Sequence, residues 1–175
     1  MPYKILIGDD SATMRSVIKR TIQLETTEQV LIAALTEALE TMAFMMVMPP
    51  EEELPSPDNS LKTTMEFIGP VRGKLELMAS LDFTQAMAAN VLGIDSQDRE
   101  AARKGADAFK ELINTTCGVL TPGLGSSRAD VFDFSIPQAE LYSTADDWKT
   151  FIAQTGVFVL DVDGYPVAAR LTLTP

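Results

Sequence analysis

The chain has 175 residues, 46% hydrophobic and 22% charged, which is the composition of one globular domain with at most a short appendage. Its 25 acids against 14 Lys and Arg give a net charge of −11, a field that repels nucleic-acid phosphates and anionic lipid heads, so neither a nucleic-acid partner nor membrane insertion is expected. There is no histidine and a single cysteine, Cys117, which excludes Ser-His-Asp and Cys-His nucleophile systems, most zinc sites and an intrachain disulfide.

In chain order, residues 4–7 read as a short strand, and Asp9, Asp10 and Ser11 as caps of a helix over about 12–24. Thr26 or Thr27 is the expected cap of a second, more apolar helix over about 28–42, followed by a strand over 43–48. Residues 49–59, PPEEELPSPDN, hold four prolines and four acids in eleven positions and read as a solvated loop. Residues 61–68 and 71–80 flank Gly69-Pro70 and read as a strand pair, with Leu75, Leu77 and Ala79 alternating with Lys74, Glu76 and Met78 as in a half-buried strand. Asp82 is the expected cap of a helix over 83–92 closed by Gly93, and Ser96 opens the longest helix, about 97–118, ended by Pro122, Gly123 and Gly125. Residues 131–136 and 140–142 read as strands and 144–153 as a short helix. Residues 156–162 and 166–173 surround Asp163-Gly164, a hairpin signal. Helices mixed with antiparallel strands, without regular βαβ alternation, predict an α+β fold with helices packed on a mostly antiparallel β-sheet.

No apolar run approaches the roughly 18 residues of a membrane span. The opening Met1-Pro2-Tyr3-Lys4 leads to Gly8-Asp9-Asp10 and not to an apolar signal core, so a cytoplasmic location is expected.

The long helix is the most informative segment. At about 100° per residue, Ala102, Ala106, Phe109, Ile113, Cys117 and Leu120 form one apolar stripe with Leu112 on its border. Asp107, Glu111 and Asn114 follow at i, i+4 and i+7, so an acid, an acid and an amide form a line pointing away from that stripe. Helix geometry alone makes this line a solvated face. The asparagine, which competes for backbone hydrogen bonds in a helix interior, is the residue least suited to such a place.

At this helix the sequence resembles the chemotaxis phosphatases of the CheC, CheX and FliY group. Their signature is Asp or Ser, three residues, Glu, two residues, Asn, then 22 residues and Pro. Here it reads Asp107-AFK-Glu111-LI-Asn114, with Pro137 following after 22 residues. The segment VLIAALTEALETMAFMMVMP, residues 30–49, resembles the first helix and strand of CheX. CheC-type members carry the signature twice. The candidate second copy here has Ala33 for the first acid and Glu40 for the amide, beside Glu37, so the single-site CheX arrangement is the closer match.

The resemblance covers residues 26–175 and implies a hydrolase acting on the phospho-aspartate of a CheY-like response regulator. Glu111 and Asn114 are the implied catalytic residues and Asp107 a binding residue. No metal or cofactor of its own is implied, Mg²⁺ being expected on the regulator, and a homodimer is implied. A non-catalytic regulator-binding module and a flagellar-switch component are the other readings. Residues 4–22, KILIGDDSATMRSVIKRTI, resemble instead the opening strand and helix of a receiver domain, with Asp9 and Asp10 matching its Mg²⁺-binding acidic pair. Residues 1–25 are therefore expected to be a receiver-like remnant, its two acids serving as helix caps or as a weak metal site.

Two other motifs resolve to structure. LDVDG, residues 160–164, resembles the nucleophile motif of haloacid-dehalogenase phosphatases, but no lysine or acid follows it and a hairpin turn is expected. The glycine cluster at Gly123 and Gly125 has no lysine behind it and is no phosphate loop.

Overall fold

The computed structural model describes residues 12–48, 54–125 and 130–174, with side chains from residue 27 onward within them. The strand expected over 4–7 and the acids Asp9 and Asp10 lie outside the described residues. The order is α1 (Ala12–Ala43), β1 (Val47–Met48), β2 (Ser60–Ile68), β3 (Arg72–Ser80), α2 (Leu81–Leu92), α3 (Arg99–Leu124), β4 (Asp133–Phe134), β5 (Gln138–Tyr142), α4 (Ala145–Ile152), β6 (Val157–Val162) and β7 (Tyr165–Thr174). The α+β reading holds: every strand pair is antiparallel, in one sheet ordered β1-β6-β7-β3-β2 with β4 and β5 on the outer side of β2.

Several boundaries differ from the sequence expectation. The two N-terminal helices are one, α1, running through Thr26 and Thr27. No Gly or Pro occurs within it, and a threonine costs a helix interior only roughly half a kcal/mol, too little to break it. The helix ends at Ala43, and Phe44 takes a left-handed φ of 55°, so the expected strand over 43–48 shrinks to Val47–Met48. The cap of α2 is Ser80, whose hydroxyl accepts from Phe83 N at 3.0 Å; Asp82 sits in the first turn, where its charge suits the helix dipole. Similarly, Asp98 caps α3 in place of Ser96, accepting from Glu100 N at 2.8 Å. Pro122 lies inside α3, because Leu120 and Thr121 are buried and hold the last turn down. The strand expected over 131–136 shortens to β4, with β5 beginning at Gln138.

The sheet buries both faces. Leu75, Leu77 and Ala79 of β3 join Leu31, Leu35, Leu39, Phe83 and Phe109 in the core under α1, α2 and α3. Met78 faces the other way, against Trp148 and Phe151 of α4 and Ala168 of β7. The β6–β7 hairpin turns at Asp163 (φ 51°) and Gly164 (φ 85°), two left-handed residues as a type I′ turn requires. Asp161 Oδ1 accepts from Gly164 N at 2.7 Å, and Asp163 exchanges hydrogen bonds with the backbone of Met46. The LDVDG acids are therefore structural.

One charged residue is buried in the middle of the sheet. Glu76 receives Arg170 through two nitrogens, Lys62 Nζ at 2.8 Å and Lys74 Nζ at 3.3 Å. Lys62 and Arg170 also lie over the ring of Phe151, at 5.0 and 5.7 Å. Burial alone pushes the Glu76 carboxyl up, but the hydrogen bonds and charges of Lys62 and Arg170 outweigh it and hold the group at about 2.

Two predictions follow from this packing. A carboxyl whose pKa is depressed on folding contributes stability that is fully present above its unfolded value near 4.5 and is lost as pH falls toward 2. Glu76→Gln should therefore cost up to about 3 kcal/mol at pH 7, and the gap to the wild type should close between pH 4.5 and 2, read by urea unfolding at each pH. Deleting residues 1–22 should leave a cooperatively melting protein, because Leu31, Leu35 and Leu39, through which α1 packs into the core, all lie beyond the cut; loss of a sharp calorimetric transition would contradict this.

Candidate functional site

The site is built on α3. Its buried face comprises Ala101, Gly105, Phe109, Leu112, Ile113, Thr116, Cys117, Leu120 and Thr121. The expected stripe is right from Phe109 onward, but Ala102 and Ala106 are exposed, and Ala101 and Gly105 take their place. The cause is the crossing with α2. A Cβ on Gly105 would stand 2.9 Å from Thr84 Oγ1 and 3.2 Å from the Thr84 carbonyl carbon, so the two helices meet closer than an alanine allows. Phe83 and Phe109 pack edge to face at 6.0 Å just beyond this contact. On its other flank α3 meets α1, where Thr115 Oγ1 lies 3.9 Å from Met42 Sδ.

With that face buried, Asp107, Glu111 and Asn114 are all exposed. The structure brings them together with Lys110, Ile136 and Pro137 around one open depression of about 290 Å³. Asp107 stands between two lysines, with Oδ2 3.4 Å from Lys104 Nζ and Oδ1 3.3 Å from Lys110 Nζ. The hydrogen bonds from Lys110 and Lys104 hold its carboxyl below the usual carboxylate range. Cys117 is on the opposite side of the helix, its thiol pushed up to about 12 by burial, and plays no part in this surface.

The far wall comes from a register change in the sheet. Phe67 of β2 is opposite Phe134 of β4, and Thr64 is opposite Gln138 of β5. Ser135, Ile136 and Pro137 therefore stand opposite only Met65 and Glu66, a bulge of one extra residue. Ser135 closes one side of it, its N donating to Glu66 O and its Oγ accepting from Glu66 N, both at 2.9 Å. Pro137 has no N–H to give to a ladder, so it fits where pairing is interrupted. The bulge presents Pro137 and Ile136, the latter 80% exposed, to the depression.

The first helix offers no equivalent. Ala33, Glu37 and Glu40 of α1 are exposed, but that surface has no amide at the signature position. Among the described residues, no group of three or more His, Cys, Asp or Glu could hold a metal ion, and no helix is long and apolar enough to cross a membrane. Two members of the depression were not singled out in the sequence. Lys110 is marked only by its i+3 spacing from Asp107, and Ile136 depends on the bulge, which has no local sequence signal.

The family model described as chemotaxis phosphatase CheX matches residues 61–141, from β2 through β5, a span that contains the whole depression. No curated protein matches the sequence. Among solved structures, chemotaxis protein CheX from Desulfovibrio desulfuricans superposes with a TM-score of 0.60 at 15% identity, covering 85% of this chain and 99% of that one. CheX from Borrelia burgdorferi, in a complex with CheY, BeF3 and Mg²⁺, gives 0.56 at 17% identity, covering 84% and 97%. FliY of Thermotoga maritima gives 0.55 at 13% identity, covering 83% and 87%. At these identities the likeness is one of fold. The fold is thus that of CheX, CheC-like and FliY proteins, and residues 61–141 are similar to the chemotaxis phosphatase CheX family.

Proposed function

We propose that this chain hydrolyses the phospho-aspartate of a CheY-like response regulator in chemotaxis signalling. The observation that carries the reading is the depression on α3: the signature's acid, acid and amide, Asp107, Glu111 and Asn114, line it together with Pro137, the signature's distant last member.

An aspartyl phosphate is already labile, so the enzyme's main task is to hold water in line with the phosphorus. Asn114 suits it: a neutral amide both donates and accepts, and does not repel phosphoryl oxygens. The water oxygen bonds to phosphorus as the bond to the aspartyl oxygen breaks. The products are a free carboxylate and dihydrogen phosphate, which carries both protons of the water. Glu111, one turn earlier on the same face, pairs with a lysine of the regulator and sets the docking register. Mg²⁺ belongs to the regulator's own site, a placement supported by the Borrelia CheX complex that contains CheY and Mg²⁺. The reaction takes place where the regulator is, in the cytoplasm. Residues 26–175 form the phosphatase unit, and residues 1–25 a receiver-like remnant.

Asn114→Ala should lower the rate of phosphate release from a phosphorylated CheY-type receiver by on the order of a hundredfold, with an unchanged melting curve. Glu111→Ala should raise the receiver concentration needed for half-maximal rate, by an amount that shrinks as salt screens the lost contact. Glu40→Ala, at the degenerate position of α1, should change little. Full activity in Asn114→Ala, or loss only through unfolding, would remove the assignment. A chain that binds the receiver without speeding phosphate release is a binding module.

The active form is a homodimer on this reading. The support is the outer edge of β5, which pairs with no other strand among the described residues and where Leu141 is 62% exposed. Light scattering at micromolar concentration should give twice the 19.0 kDa chain mass, and a monomer would contradict it.

A further inference from the structure

We infer that Lys110 is a further substrate-contacting residue of this site, held in place by Asp107, and that its ammonium receives the phosphoryl oxygens of the aspartyl phosphate. The inference rests on the proposed phosphatase function and adds a cation and a positioning residue to it.

The placement comes first. Lys110 is i−4 and Glu111 i−3 from Asn114, so one turn before the amide a lysine stands on one side of its line and a glutamate on the other. Lys110 lines the same depression as Asn114 and Pro137. Its ammonium is held over the face of α3 by Asp107 Oδ1 at 3.3 Å, while Asp107 Oδ2 is engaged by Lys104 at 3.4 Å. Asp107 is thus shared between two cations. Both pairs are exposed and long, the kind worth little in stability, so Lys110 can turn from Asp107 to a stronger anionic acceptor at small cost. Lys104 meanwhile keeps Asp107 neutralised.

Charge gives the second argument. The chain as a whole carries −11, which opposes approach of an anionic phosphoryl group. Among the helices α3 is the exception, with four cations, Arg99, Arg103, Lys104 and Lys110, against three anions, Glu100, Asp107 and Glu111, where α1, α2 and α4 each carry more acids than bases. Of those four cations Lys110 alone lines the depression. Without it the lining would hold two carboxylates and no positive group, a poor receptor for phosphate. The acidic first residue of the signature then has a physical purpose: one turn before Lys110, with Asn114 one turn after it, Asp107 keeps the ammonium at the rim of the depression until a phosphoryl group draws it over. Asp107 acts through Lys110 and is a positioning residue.

The test measures phosphate release as a function of the concentration of a CheY-type receiver phosphorylated with acetyl phosphate, at low and high salt. Lys110→Ala should lower kcat/KM about tenfold and flatten its salt dependence, with an unchanged melting temperature, and Lys110→Arg should restore most of the loss. Asp107→Asn should lower kcat/KM by less, and adding it to Lys110→Ala should cost nothing more, because the two act as a unit. Wild-type kcat/KM and salt dependence in Lys110→Ala, or an Arg variant no better than Ala, would overturn the inference. If Asn114→Ala is inactive in the same assay, the phosphatase reading survives that result. A wild-type chain that releases no phosphate overturns both.

Discussion

The burial of one stripe of α3 is the constraint on which the rest depends. Phe109, Leu112, Ile113 and Leu120 are fully or almost fully buried, and each such side chain is worth about 1.5–3 kcal/mol relative to exposure. The ion pairs on the opposite face are exposed, and each contributes at most about 1 kcal/mol. The core therefore decides how the helix is rotated, and the polar row takes the orientation left to it. Gly105 sharpens the setting, since its close contact with Thr84 fixes α3 against α2 in a position that a larger residue would shift. The amide and its neighbours gain a rigid platform without any stabilising role of their own.

The sheet supplies the other half of the site by a different device. A regular edge strand would have carried the chain past α3 in continuous pairing with β2. The extra residue at 135–137 interrupts that pairing and lifts Ile136 and Pro137 toward the helix. Asn114 and Pro137 are distant in sequence, and it is the bulge that brings them to one depression. The chemistry proposed for that depression suits its residues: there is no histidine in the chain, and the single thiol is buried and held protonated. What the depression offers is a positioned amide and a few loosely paired charges, suited to a bond that is already weak.

Local pattern carried much of the fold. The β2–β3 pair, the Asp163-Gly164 hairpin, the short helix α4 and the polar row on α3 were all legible, because alternation, turn chemistry and helical spacing act over a few residues. The misses have physical reasons. The break expected in α1 rested on two threonines whose helix penalty is small. Ala102 and Ala106 are small enough to lie on either side of a helix edge, and Gly105 has no apolar side chain to count, so the start of the stripe was misplaced. The bulge depends on the register of two pairings with β2, which no window along the sequence contains. Lys110 carries no signal of its own along the sequence, and its place beside Asp107, Pro137 and Asn114 comes from the fold.

The central claim is that the α3 row meets the phosphoryl group of a bound regulator. The most direct measurement is a crystal structure of this chain with a CheY-type receiver carrying beryllium fluoride in place of the phosphoryl group. The account predicts the Asn114 amide at the beryllium fluoride, within roughly 3 Å of a water in line with the beryllium or in that water's place, and Glu111 on a receiver lysine. A receiver seated on α1, on the β5 edge or on the α4 side, with Asn114 facing solvent, would contradict it.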